Sequence, residues 1–243
     1  GAVLRKSTTQ SAVLGLNSRF SNVLSNNLVV GYTNVTEPRT TPGNPFPRVF
    51  IDLGSSTNIS LGAEPFSTVN QLDQQVLTLT DNLTLYKGNH TLTFGTHNEF
   101  YKMYNGFIGS AFGNYTFRNS PASDINPATG QPYTAIENFE RGKAASFQYN
   151  YSNTDDPKQG ADFSAMQLGF YVQDEYQMFS NLKLTGGLRV DIPIYLTDPL
   201  ENQDFNNSII AQRYDVMTNR MPKATFMWSP RLGFNWDVKS DRS

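Results

Sequence analysis

Cysteine is missing from all 243 residues, so neither a disulfide framework nor a thiolate metal site is open to this chain, a composition that suits an exported bacterial protein. Charge is scarce as well. Only 16% of residues are charged, and 19 Lys and Arg against 21 Asp and Glu leave a formal net charge of −2. With no basic run there is no electrostatic footprint for nucleic acid, which is not expected as a partner. No stretch approaches the roughly 18 apolar residues of a membrane helix, and the opening Gly-Ala-Val-Leu-Arg-Lys has no signal-peptide hydrophobic core. A membrane barrel is untouched by that absence, because its strands alternate apolar and polar residues.

The usual signatures of catalysis are missing too. His90 and His97 are the only histidines, so no HExxH or His-rich metal set can be assembled. GxxxxGK[ST], GxGxxG and GxSxG do not occur, which removes the phosphate cradle, the dinucleotide turn and the hydrolase elbow. Asp155 and Asp156 are adjacent within a Pro-Lys-Gln-Gly stretch and read as a solvated turn rather than a glycosidase pair. The run from Asp124 to Gly130 lacks the third acid and the distal Glu of a calcium loop and reads as a turn. Neither an enzyme nor a bound cofactor is expected.

What the chain does have is aromatic residues, 13% of the total, together with abundant Asn, Ser, Thr, Gly and Gln. Period-two alternation recurs, most clearly over 167–177, where Leu168, Phe170, Val172 and Tyr176 share one face and Gln167, Tyr171, Gln173, Glu175 and Gln177 the other. After a short connection, Leu182, Leu184, Leu188, Val190 and Ile192 oppose Lys183, Thr185, Arg189 and Asp191, which predicts an antiparallel hairpin. A second hairpin turns at 87–90, a third at 21–26, and a last strand carries Leu232, Phe234, Trp236 and Val238 against Arg231, Gly233, Asn235 and Asp237. Seven strands follow, with an eighth expected at 113–118.

Connections alternate between short ones (21–26, 87–90, 178–180) and long ones (37–73, 105–162, 196–228). Long strands with connections trimmed at one end and extended at the other are the pattern of an outer-membrane barrel, whereas sandwich strands have a mode near 5 to 6 residues. The expected fold is therefore all-β, an antiparallel transmembrane β-barrel segment with long extracellular loops. Residues 1–243 read as a partial barrel, since seven strands leave open edges and an odd count. Gly15, Gly31, Gly95, Gly169, Gly187 and Gly233 fall on polar faces, as a crowded interior would favour, and Gly186 breaks that rule. Phe20, Tyr176 and Trp236 are placed for an inner aromatic girdle, Phe100 and Tyr104 for an outer one. Asp81 and Asp174 fall on apolar faces, which requires either a β-bulge or a place near an interface.

Two groups of site residues emerge. Tyr171, Gln173, Glu175, Lys183 and Arg189, with Asp237, are expected on the lumen wall, where they either meet substrate or plug or pair with one another. The 105–162 connection holds Phe107, Phe112, Tyr115, Tyr133, Tyr149 and Tyr151, candidate ligand-binding aromatics that would otherwise pack the loop together. Asn138 in that loop and Asn89 in a short turn are expected on opposite sides of the membrane.

The segments QLGFYVQDEYQ (167–177), LKLTGGLRVD (182–191) and SPRLGFNWD (229–237), with the earlier LNSRFSNVLSNNLVVGYT (16–33), resemble barrel strands of TonB-dependent outer-membrane receptors. The likeness is to the Bacteroidetes type that carries an N-terminal carboxypeptidase-regulatory-like domain. Tyr176 stands where that family has Trp, and Val190 where it has an aromatic. The resemblance implies a barrel of roughly 22 strands in the bacterial outer membrane, surrounded by lipid and closed by a plug domain. It also implies import of a bulky nutrient (siderophore, glycan or peptide), driven by the TonB complex of the inner membrane. No plug and no TonB box are visible in the sequence. The alternatives are a passive porin-like or structural barrel, and a soluble all-β module that binds carbohydrate or protein.

Overall fold

The structure, a computed structural model, describes residues 3–152 and 154–238. In chain order the elements are β1 (Leu4–Arg5), β2 (Thr8–Arg19), β3 (Leu24–Thr40), β4 (Arg48–Gly54), β5 (Thr57–Leu61), β6 (Asn70–Lys87), β7 (His90–Phe107), β8 (Asn114–Phe117), β9 (Ile125–Asn126), β10 (Gln131–Pro132), α1 (Ala135–Glu140), β11 (Ser146–Gln148), β12 (Gly160–Phe179), β13 (Leu182–Tyr195), α2 (Gln203–Asn206), α3 (Ile209–Tyr214) and β14 (Met227–Trp236). They fall into two compact units.

One unit comprises 9–34, 74–103 and 162–238 and contains most of each of the seven expected long strands. Within the sheet β2, β3, β6, β7, β12, β13 and β14 lie side by side in that order, and β1 also pairs with β3, so that β1 and β2 share one edge and β14 forms the other. The shortest of the seven, β14, has 10 residues and the longest, β12, has 20, against about 9 to 11 for a tilted crossing of a bilayer. No helix among the described residues is long and apolar enough to cross a membrane.

The side-chain period of two explains the pairing. In the antiparallel ladder between β12 and β13, Leu168 opposes Ile192, Phe170 opposes Val190 and Val172 opposes Leu188, while on the other face Tyr171 opposes Arg189 and Gln177 opposes Lys183. The next ladder continues the apolar face with Val190 opposite Trp228 and Leu184 opposite Phe234. A slip of one residue would put every one of these apolar groups on the polar face, so the alternation fixes the register. Among the described residues nothing covers the apolar face: Leu232 is 92% exposed, Phe234 74% and Leu14 72%. So large an uncovered apolar surface is tolerated only against another apolar medium.

Each of the two acids on that face finds a partner. Asp174 stays in register opposite Gly186, with the irregularity of this ladder lying further on, between Gln177 and Phe179. Its carboxylate meets His90 Nδ1 at 2.7 Å, and the His90 ring stacks on Tyr176 with centroids 4.5 Å apart. Asp81 accepts from the Asn26 amide at 2.7 Å. The crowding expected at polar-face glycines is present at Gly95 and Gly169, but Gly15 has open space.

The second unit comprises 1–8, 35–73 and 104–161. Its four-stranded sheet runs β11-β8-β4-β5, with β4 and β8 parallel. Here the expected eighth barrel strand is corrected. Residues 114–117 do form a strand, β8, but it pairs with β4 and β11 of this smaller sheet. The cause is visible in Phe117, which is buried with Ile51 and Ala135 in a local core and meets Phe139 edge to face at 5.3 Å. The connections 41–69 and 108–159 thus bury apolar side chains of their own.

Candidate functional site

On the polar face of the long-stranded unit, the side chains expected at the lumen wall are held by one another. Arg189 grips Asp191 through Nε and Nη2, at 2.8 and 2.6 Å, and its guanidinium lies 5.5 Å from the Tyr171 ring centre. Gln167 donates to the same carboxylate at 3.3 Å. Lys183 pairs with Glu175 at 2.7 Å, and Gln173 donates to Glu175 at 3.4 Å. The Tyr171 hydroxyl donates to Asn82 at 2.5 Å. Further along, Thr80 meets His97 Nδ1 at 2.7 Å, His97 lies 3.7 Å from Glu99, and Glu99 accepts from the Tyr101 hydroxyl. Asp237 follows β14, and its backbone pairs with Asn181 in the β12–β13 turn. Beside Arg189, an open groove of about 490 Å³ is lined by Tyr171, Gln173, Gly187, Ser229 and Arg231.

In the loop unit the six candidate aromatics do not form one cluster. Tyr115 packs on Phe147 at 4.5 Å, Phe147 stacks with Tyr149 at 6.5 Å and Tyr149 with Tyr151 at 5.7 Å. Alternate residues of an extended segment share a side, so 147, 149 and 151 form a ladder of rings. Phe112, Tyr149 and Tyr151 line a groove of about 340 Å³ that also takes in Asn150, Ser152, Thr154, Asp155 and Lys158. Phe107 lies outside that lining and is about half exposed.

Tyr133 stands elsewhere, with the Arg141 guanidinium 3.5 Å above its ring. Arg141 and Lys143 close on Asp124 at 2.6 and 2.9 Å, and Ser120 donates to the same oxygen at 2.6 Å. The Ser120 hydroxyl, then the two cations, hold the Asp124 carboxyl well below the usual carboxylate range. Glu137 is lowered as well, chiefly by the Thr134 backbone N–H, and the two residues form the capping box that starts α1. The 120–143 segment is therefore a clasp, and its acid is already occupied by cations.

Asn138 is buried, 4% exposed, and its side-chain amide donates to the Arg118 carbonyl at 2.7 Å. Asn138 thus holds the clasp together, although its loop sequence carries no sign of burial. The groove's polar lining was also missed, since Asn150, Ser152 and Thr154 are ordinary loop residues until the ring ladder brings them together. The repeat of aromatics at 147, 149 and 151 was the one available signal.

The model of the outer membrane beta barrel domain family matches residues 2–243. No curated protein matches the chain. Among solved structures, the ferric-catecholate import receptor Fiu of E. coli K12, in its open form, is similar with a TM-score of 0.38 and 12% identity, over 95% of this chain and 32% of that one. The chain thus spans about a third of that receptor's length. With a family model covering all but its first residue, the chain belongs to the outer membrane beta barrel domain family and resides in the bacterial outer membrane.

Proposed function

We propose that these strands are part of the wall of a TonB-dependent transporter that carries a bulky nutrient across the outer membrane. On this reading the wall belongs to a larger barrel of roughly 22 strands. A plug domain and the inner-membrane TonB complex are its partners, as the strand motifs imply. The observation that carries the reading is the contrast between connections. Residues 88–89 and 180–181 are two-residue turns, whereas 41–69 and 108–159 supply most of a folded unit with its own core and an aromatic groove. Passive diffusion gains nothing from such a unit, while a transporter that must recognise its cargo first needs one. The paired wall residues fit a fixed scaffold.

Two measurements on the full-length protein in cells test this. A cysteine at the exposed Ala128 should react with a membrane-impermeant maleimide, and one at Asn89 should not; the reverse pattern would invert the topology. Site-directed cross-linking should then capture TonB. Correct labelling without any TonB adduct would leave a passive barrel.

A further inference from the structure

We propose that the groove formed by Phe112, Tyr149, Asn150, Tyr151, Asp155 and Lys158 binds a neutral saccharide, a proposal that rests on the long connections facing outward. The groove has about 340 Å³, at the small end of the range of about 300–1,000 Å³ for small-molecule sites. Its rings are uncovered. Phe112 is 38% exposed, Tyr149 52% and Tyr151 72%, although the unit has an apolar core in which rings elsewhere are buried. The ladder leaves the outer face of Tyr151 without a stacking partner among the described residues.

Between these rings lie neutral hydrogen-bonding groups. The Asn150 amide nitrogen is committed to the Gly109 carbonyl at 2.6 Å, which fixes the side chain and leaves its oxygen as an acceptor. Ser152 and Thr154 share a hydrogen bond of 2.9 Å. The Tyr149 and Tyr151 hydroxyls, the Asp155 carboxylate and the Lys158 ammonium have no side-chain partner among the described residues. One acid and one base leave the groove without net charge.

Ligand chemistry follows from that combination. A purely apolar ligand would strip water from the hydroxyls and charges and give nothing back. A multiply charged ligand would meet no compensating excess of charge. A sugar ring has an apolar C–H side that lies on an aromatic face and a rim of hydroxyls that both donate and accept. Tyrosine supplies such a face with few rotatable bonds to freeze.

The test uses full-length protein in intact cells carrying Thr154→Cys, against a background free of cysteine in this chain. Labelling by an impermeant maleimide reports that the groove faces outward. Protection from labelling by members of a panel of neutral oligosaccharides reports occupancy. We expect at least one neutral oligosaccharide to protect, Tyr151→Ala to weaken that protection at least tenfold, and Tyr151→Phe to keep it within about threefold. Absence of labelling would sink the outward-facing reading itself. Labelling that no neutral sugar slows, that only a charged ligand slows, or that slows equally in Tyr151→Ala would overturn the saccharide proposal and leave the transporter reading standing.

Discussion

The Tyr171 ring occupies the space a side chain at Gly95 would take, and its hydroxyl is tied to Asn82 on a third strand, β6. The missing Cβ and the ring are complementary, the device by which an aromatic covers a glycine in a sheet. Gly95→Ala should therefore destabilise the folded protein by about 1–3 kcal/mol through overpacking. Urea unfolding in lipid vesicles should show the double variant Gly95→Ala, Tyr171→Ala losing clearly less than the sum of the single losses. Strict additivity would mean that the two residues do not share a site.

The two ion pairs on the same face differ in worth. Arg189 holds Asp191 with two hydrogen bonds, and the acid is 13% exposed, whereas Lys183 and Glu175 are 42% and 36% exposed. Arg189→Met should cost about 1.5–3 kcal/mol by stranding a carboxylate, and Lys183→Met should cost less than about 1 kcal/mol. The same unfolding assay ranks them; equal losses would contradict the geometry.

His90 and Asp174 share the apolar face near a short turn. His90→Leu alone leaves the acid without its partner and should destabilise the protein in lipid by about 1–3 kcal/mol. Replacing both by Leu should recover most of that loss, because two matched apolar groups avoid desolvating a charge. If the double variant unfolds at the same urea concentration as the single, the pair is not what makes Asp174 tolerable there.

Asp124 sets a pH response for the loop unit. Its carboxyl titrates lower in the folded protein than in the unfolded chain, so its contribution is fully present above the unfolded value of about 3.9 and fades as pH falls from there through the folded one. Hydrogen-exchange protection of 120–143 should hold steady from neutral pH to about 4.5 and decline below about 3.9. Asp124→Asn should lower the protection at neutral pH and remove the acid-dependent fall.

The long strands were legible because both faces wrote their requirement into the sequence. Leu168, Phe170 and Val172 must meet lipid, Tyr171 and Gln173 must not, and a period of two is the only arrangement that satisfies both. The loop unit was not legible. Its core of Ile51, Phe117 and Ala135 joins residues from two connections separated by β6 and β7, and β8 is four residues long, too short to show a period. Asp174 was flagged by its place on an apolar face, yet its partner His90 is 84 positions away and no spacing rule reaches it. Likewise Asn138 looked like any polar loop residue, because burial of an amide depends on the Arg118 carbonyl it finds.

The parallel pairing of β4 with β8 has a bearing on how this family can diversify. It stitches the first long connection to the second, so neither is an independent cassette. Grafting one loop from a relative would strip half a sheet from the other, and a change at Ile51 would be felt at Phe117 on the neighbouring connection. New specificity in such a protein has to arise by co-evolution of two distant stretches of sequence, or by point changes at the Tyr149 and Tyr151 end of the ring ladder, which lies outside both paired strands.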